Sequence, residues 1–145
     1  MAPISCTVDI DRPPSDVFPF VIDPTRFGEW QKGVVSGHLD GDPSVGSTCT
    51  MKRKIGGSER TSTSRITEYV PPLRWAIHGI DGPIRADVSV QVETLDDAAR
   101  SRVTIELDFS GHGFGKLIAP LVVSQARKEV PVSCQTLKGL LERAT

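Results

Sequence analysis

The sequence predicts an α+β domain in which a curved, seven-stranded antiparallel sheet closes on one long C-terminal helix. Three observations predict it. Turn signals cut residues 33–109 into strand-length pieces, two of which alternate cleanly between apolar and polar positions. After Gly115 the apolar period changes from two to about 3.6 residues. The chain has 145 residues, 38% of them hydrophobic and 24% charged, which suits one core, and no linker divides it. Residues 1–145 are therefore expected to form one domain.

In chain order, Ile4, Cys6, Val8 and Ile10 share one side of a first strand, which Arg12-Pro13-Pro14-Ser15 stops. Ser15 is placed to cap a short helix with Val17, Phe18, Val21 and Ile22 on its apolar side and Pro19 in its first turn. Asp23-Pro24 opens a second short helix ending at Trp30. Strands are expected at 33–39, 47–55, 58–70, 73–80, 84–95 and 101–109, with turns at Asp40-Gly41-Asp42-Pro43, Gly56-Gly57, Pro71-Pro72, Asp81-Gly82-Pro83 and Asp96-Asp97. Ile84, Ala86, Val88, Val90 and Val92 form one inner face, and Val103, Ile105, Leu107 and Phe109 another. Gly111 to Gly115 makes the turn into the last helix, whose stripe is Ala119, Val123, Ala126, Val130, Cys134, Leu137 and Leu141. Pro120 is expected near that helix's start, and Pro131 is expected to kink it. The sheet's inner face needs a cover, and only this helix is long enough. Inner positions are mostly small aliphatics and aromatics are 6% of the chain, so a partly hollow interior is expected.

Composition excludes several functions. A net charge of -1, from 17 basic and 18 acidic residues, offers no field for nucleic acid or anionic lipid. Cys6, Cys49 and Cys134 are odd in number and never in a C-x-x-C pair, so neither a disulfide framework nor a zinc knuckle is expected. With no basic, apolar leader and an apolar run of only Leu117 to Val123, the chain reads as cytoplasmic and not membrane-inserted. His38, His78 and His112 lack ligand spacing, so no metal is expected. Ser110 to Leu117 fails as a phosphate loop because Ser110 replaces the first glycine and Leu117 the Ser/Thr. No cofactor is expected. Lys52-Arg53-Lys54 reads as part of a solvated hairpin, with Lys52 and Lys54 outward.

The first strand ending in Arg12-Pro13-Pro14-Ser15-Asp16-Val17-Phe18, then Asp23-Pro24 with Trp30, Val45-Gly46-Ser47, and Ile66 to Trp75 before a terminal helix resemble the START/polyketide-cyclase-like superfamily. That resemblance spans essentially the whole chain. It implies the helix-grip fold shared with birch-pollen-type allergens. Family members bind or transform very different ligands, so the fold alone does not carry function.

The resemblance implies a cavity between sheet and helix. The expected ligand-binding residues are Trp30, Met51, Thr63, Arg65, Trp75, Ile77, Val90, Phe109, Leu121 and Gln125. Residues 58–70 carry no apolar face, so periodicity leaves open which side points inward, and a bulge could switch the register midway. If the Thr61–Tyr69 face is inner, Arg65 enters the cavity and matches the arginine with which aromatase/cyclases polarise a polyketide; otherwise it is a solvated surface cation. Beyond Arg65, only Tyr69, His78 and Gln125 offer polar chemistry. The reading is a binder of a hydrophobic or polyketide-like small molecule, monomeric or weakly dimeric, without nucleic-acid partners. The alternatives are an aromatase/cyclase or dehydratase using Arg65, and a regulatory or toxin-like partner protein.

Overall fold

The computed structural model describes residues 3–55 and 57–143. The elements run β1 (Ile4–Ile10), α1 (Pro14–Val21), a 3-10 turn (Pro24–Arg26), α2 (Phe27–Trp30), β2 (Val34–Leu39), β3 (Thr48–Ile55), β4 (Ser58–Val70), β5 (Arg74–Gly79), β6 (Ile84–Leu95), β7 (Arg100–Gly111) and α3 (Gly115–Arg143). The seven strands form one antiparallel sheet in the order β1-β7-β6-β5-β4-β3-β2. Every expected strand is present, within a residue or two at each end. Gly56, half of the expected turn between β3 and β4, lies outside the described residues.

The alternation on β6 and β7 has the physical consequence expected of a half-buried sheet. Val92 and Val103 pair across the two strands and are buried, while Glu93 and Arg102 pair beside them on the outer face. Burial then declines along both strands. Val90 and Ile105 are still buried, but Val88, Leu107 and Phe109 are only half-buried. Helix α3 is less even, with Ala119 and Val123 buried near its start. Cys134, Leu137 and Leu141 are sealed in the core, whereas Ala126 and Val130 of the same stripe stay partly exposed. One end of the sandwich is solid and the other opens.

Several expectations are corrected. Cys6 on β1 and Cys134 on α3 form a disulfide, because Cys6 on the sheet lies opposite the stripe of α3. The expectation that the cysteines stay unpaired is thereby overturned for these two. Only Cys49 is a free thiol, and it is buried. Helix α1 begins at Pro14 with Pro13 before it and no side-chain cap, so Ser15 does not cap it and Pro19 lies beyond its first turn. Helix α3 begins five residues before Pro120 and continues through both Pro120 and Pro131. Both prolines are exposed, where water can satisfy the carbonyls they leave free. The strand expected from residue 73 begins at Arg74, and Leu73 is exposed in the turn before it. No helix among the described residues is long and apolar enough to cross a membrane.

The turn between β7 and α3 depends on two glycines, and a Cβ on Gly111 would collide with the backbone of Gly115 and Lys116. A Cβ on Gly115 would collide with the backbone of Pro83. His112 donates its N–H to the Pro83 carbonyl at 2.8 Å beside it. This close approach fixes the start of α3 over the open end of the sheet.

Candidate functional site

Between the sheet and the first half of α3 lies a cavity of about 570 Å³. Its apolar wall comes from β5, β6 and β7, where Trp75, Ile77, Val90, Ile105 and Phe109 project inward. Helix α2 closes one side: Phe27 packs edge-on against both Trp30 and Trp75, with ring centroids 5.9 and 6.3 Å apart. Leu121, Val122 and Gln125 of α3 form the lid, and exposed Lys32, Lys54 and Leu121 lie at the rim.

Of the residues singled out from sequence, Trp30, Met51, Trp75, Ile77, Val90, Phe109, Leu121 and Gln125 border this cavity. Thr63 and Arg65 do not. The reason is register. β3 and β4 pair with Met51 opposite Ser62, Cys49 opposite Ser64 and Arg53 opposite Arg60. Met51 and Cys49 are buried, so Ser62, Ser64 and Arg60 share their inward face. Thr61, Thr63 and Arg65 have the opposite parity, although Thr61 touches the rim. Arg65 is exposed and pairs with Thr48 and His78 on the outer surface. His78 is exposed there too, bonded through Nδ1 to Asp87. The register shifts between Ile66 and Glu68, which returns Tyr69 to the side of Trp75. Tyr69 borders a second hollow of about 520 Å³ under α1, which Trp75 separates from the first.

The inward cations on β3 and β4 are instead Arg53 and Arg60. The Arg53 guanidinium donates from Nη2 to Gln31 Oε1 at 2.9 Å. Burial holds its pKa below the ordinary value, with Cys49 and Glu129 opposing that shift. The Arg60 guanidinium stacks over the Phe114 ring, 5.4 Å from its centroid. Arg60 Nε is buried without a hydrogen-bond partner among the described residues, and so is Trp30 Nε1. On α3, Gln125 Nε2 donates to Glu129 Oε1 at 2.7 Å, and both line the cavity. Burial pushes the Cys49 thiol up to about 11, with Arg53 opposing, so this cysteine is no nucleophile at neutral pH. No cluster of metal-binding side chains occurs among the described residues.

Sequence reasoning missed Arg53 and Arg60, though the signal was present. Alternation from Cys49 and Met51 puts Arg53 inward, and the turn expected from sequence at Gly56-Gly57 would set Arg60 opposite it, as the pairing has it.

A twisted antiparallel sheet gripping one long helix around a hollow defines a helix-grip protein. The chain belongs to the polyketide cyclase / dehydrase and lipid transport family, which it matches over residues 1–142. Its fold is similar to that of a Thermus thermophilus protein, with a TM-score of 0.76, 17% identity and 97% of each chain covered. The Zhui aromatase/cyclase of a Streptomyces species is equally similar, at TM-score 0.76 and 15% identity over 98% of this chain and 94% of that one. A Chromobacterium violaceum protein aligns at TM-score 0.72 and 18% identity, over 99% and 100% of the two chains. Identities this low carry the fold alone. No curated protein matches the sequence.

Proposed function

We propose that the chain binds a hydrophobic small molecule between its sheet and α3. The observation that carries this reading is the 570 Å³ hollow, mostly apolar in its walls and furnished with a few convergent polar groups. Burying an apolar ligand there releases about 25 cal/mol for each Å² removed from water. Native mass spectrometry of freshly purified protein tests it. A co-purifying small molecule, or saturable displacement of a fluorescent apolar probe, is the expected result. Absence of both ends the proposal.

A second reading, an aromatase/cyclase or dehydratase, is favoured by Glu129 and Gln125 lining the same cavity as Arg53 and Arg60. Guanidinium groups placed where an enolate oxygen develops would stabilise it, and a carboxylate could shuttle the proton. Arg65 takes no part in that scheme, because it faces solvent. Turnover of an added poly-β-keto substrate, lost in Glu129→Gln, would establish this reading over simple binding.

A further inference from the structure

The second hollow, the disulfide and the exposed apolar rim of α3 each lack a group that would select an occupant. The polar end of the main cavity has one.

From it we infer that the ligand carries an anionic oxygen head, a carboxylate or phosphate, seated on Arg53 and Arg60, with its apolar body against β6 and β7. The inference rests on the binding reading above and names the chemical class of the molecule bound.

Arg53 and Arg60 are direct cross-strand partners, and both border the cavity. Like charges placed directly opposite on a sheet repel, and neither guanidinium has a carboxylate within 4.0 Å among the described residues. Glu129, which accepts a hydrogen bond from Gln125, acts on Arg53 only through space and forms no ion pair with it. The cavity is also basic where the chain as a whole is not. Lys32, Arg53, Lys54, Arg60 and Arg85 line it against only Asp81 and Glu129, while the net charge of the chain is -1.

Two buried donors on this hollow, Arg60 Nε and Trp30 Nε1, make no hydrogen bond. Buried donors are almost always satisfied, and leaving one unmade is costly. Trp30 is only 7% exposed, so water reaches it poorly. A neutral ketone oxygen would fill a donor but add no negative charge against the two facing guanidinium groups. An oxyanion does both, and guanidinium–oxyanion contacts are among the strongest hydrogen bonds available. On the β6 and β7 wall, Val88, Leu107 and Phe109 present half-buried apolar surface. That wall and the two facing guanidinium groups together specify an amphiphile.

The experiment compares dodecanoate, dodecyl phosphate and dodecanol by calorimetry against the full chain at neutral pH. One or both anions should bind about tenfold or more tighter than the alcohol, as expected for one or two charge-assisted contacts. Whichever anion binds more tightly identifies the head as carboxylate or phosphate. In Arg60→Gln, and separately in Arg53→Gln, the ratio of anion to alcohol affinity should collapse toward unity. The wild-type ratio stands by itself should either variant fail to fold. Equal affinity for all three probes in the wild type would overturn the anionic head while leaving cavity binding intact. Failure of all three to bind would overturn the binding reading and the inference with it.

Discussion

The two ends of this sandwich treat charge and volume in opposite ways. At the end built from β1, β7 and the last turns of α3, cations have partners. Arg102 grips Asp9 with two hydrogen bonds of 2.8 and 3.1 Å. Lys138 joins the Asp9 carbonyl to Glu142. Arg12 donates to the carbonyls of Leu141 and Glu142, while Ser101, fully buried, donates to the Arg12 carbonyl. Leu137, Val103 and Ile10 fill the space between with no exposed surface. At the end built from β3, β4, α2 and the first half of α3, the inner face is Arg60, Ser62 and Ser64, and donors stand unpaired over a hollow. The first end spends its sequence on stability. The second keeps polar groups whose partners must come from outside, as function requires.

The largest test of that contrast is volume. Leu137→Ala at the solid end should cost about 2–5 kcal/mol in urea unfolding, because the packed surroundings cannot collapse into the space. Val130→Ala on the same helix stripe, already half-exposed beside the cavity, should cost about 1 kcal/mol or less. Equal losses would mean that the cavity end is packed as tightly as the core, contrary to the contrast.

Charge gives the next effect. The hydrogen bond from Arg102 lowers the pKa of Asp9, and the hydrogen bond from Lys138, with a backbone N–H from Asp11, lowers that of Glu142. A carboxyl depressed in the folded state stabilises it fully above its unfolded pKa, and that support is lost as pH falls through the folded value. Stability should therefore hold from neutral pH to about pH 4.5 and decline below it, through the range where these acids gain protons. Asp9→Asn should start lower and show a shallower acid slope in thermal melts between pH 6 and pH 3. A slope unchanged by the substitution would remove Asp9 from the account.

The fold was legible because most of its elements carry an unambiguous period. Ile84 to Val92 and Val103 to Phe109 alternate, and the stripe from Ala119 to Leu141 can only be helical. The site was legible on its apolar side for the same reason, since Trp75, Ile77 and Phe109 belong to faces that period two identifies. Its polar side was hidden. β4 bears hydroxyls and charges on both faces, so hydrophobicity could not orient it; only its pairing with β3 does, through buried Met51 and Cys49. The disulfide was hidden differently. Cys6 and Cys134 are 128 residues apart, and nothing local in a sequence records a contact made by tertiary packing.

The smallest expected effects are also the most discriminating, because they use one substitution at two positions of one strand. Arg60→Met removes a guanidinium whose Nε is buried without a partner and replaces it with a flexible apolar chain of comparable reach. The unliganded protein should gain about 1 kcal/mol in unfolding free energy, the scale of an unsatisfied donor relieved. Thermal stabilisation by dodecanoate should shrink at the same time, since binding stabilises only in proportion to affinity. Arg65→Met changes an exposed arginine on the outer face, so its stability should stay within about 0.5 kcal/mol of wild type. Its ligand-induced shift should also stay intact. Melts of both variants with and without dodecanoate make the comparison. If Arg65→Met abolishes the ligand shift while Arg60→Met preserves it, β4 faces the other way in solution, and the polar end of the cavity must be reassigned to Thr61, Thr63 and Arg65.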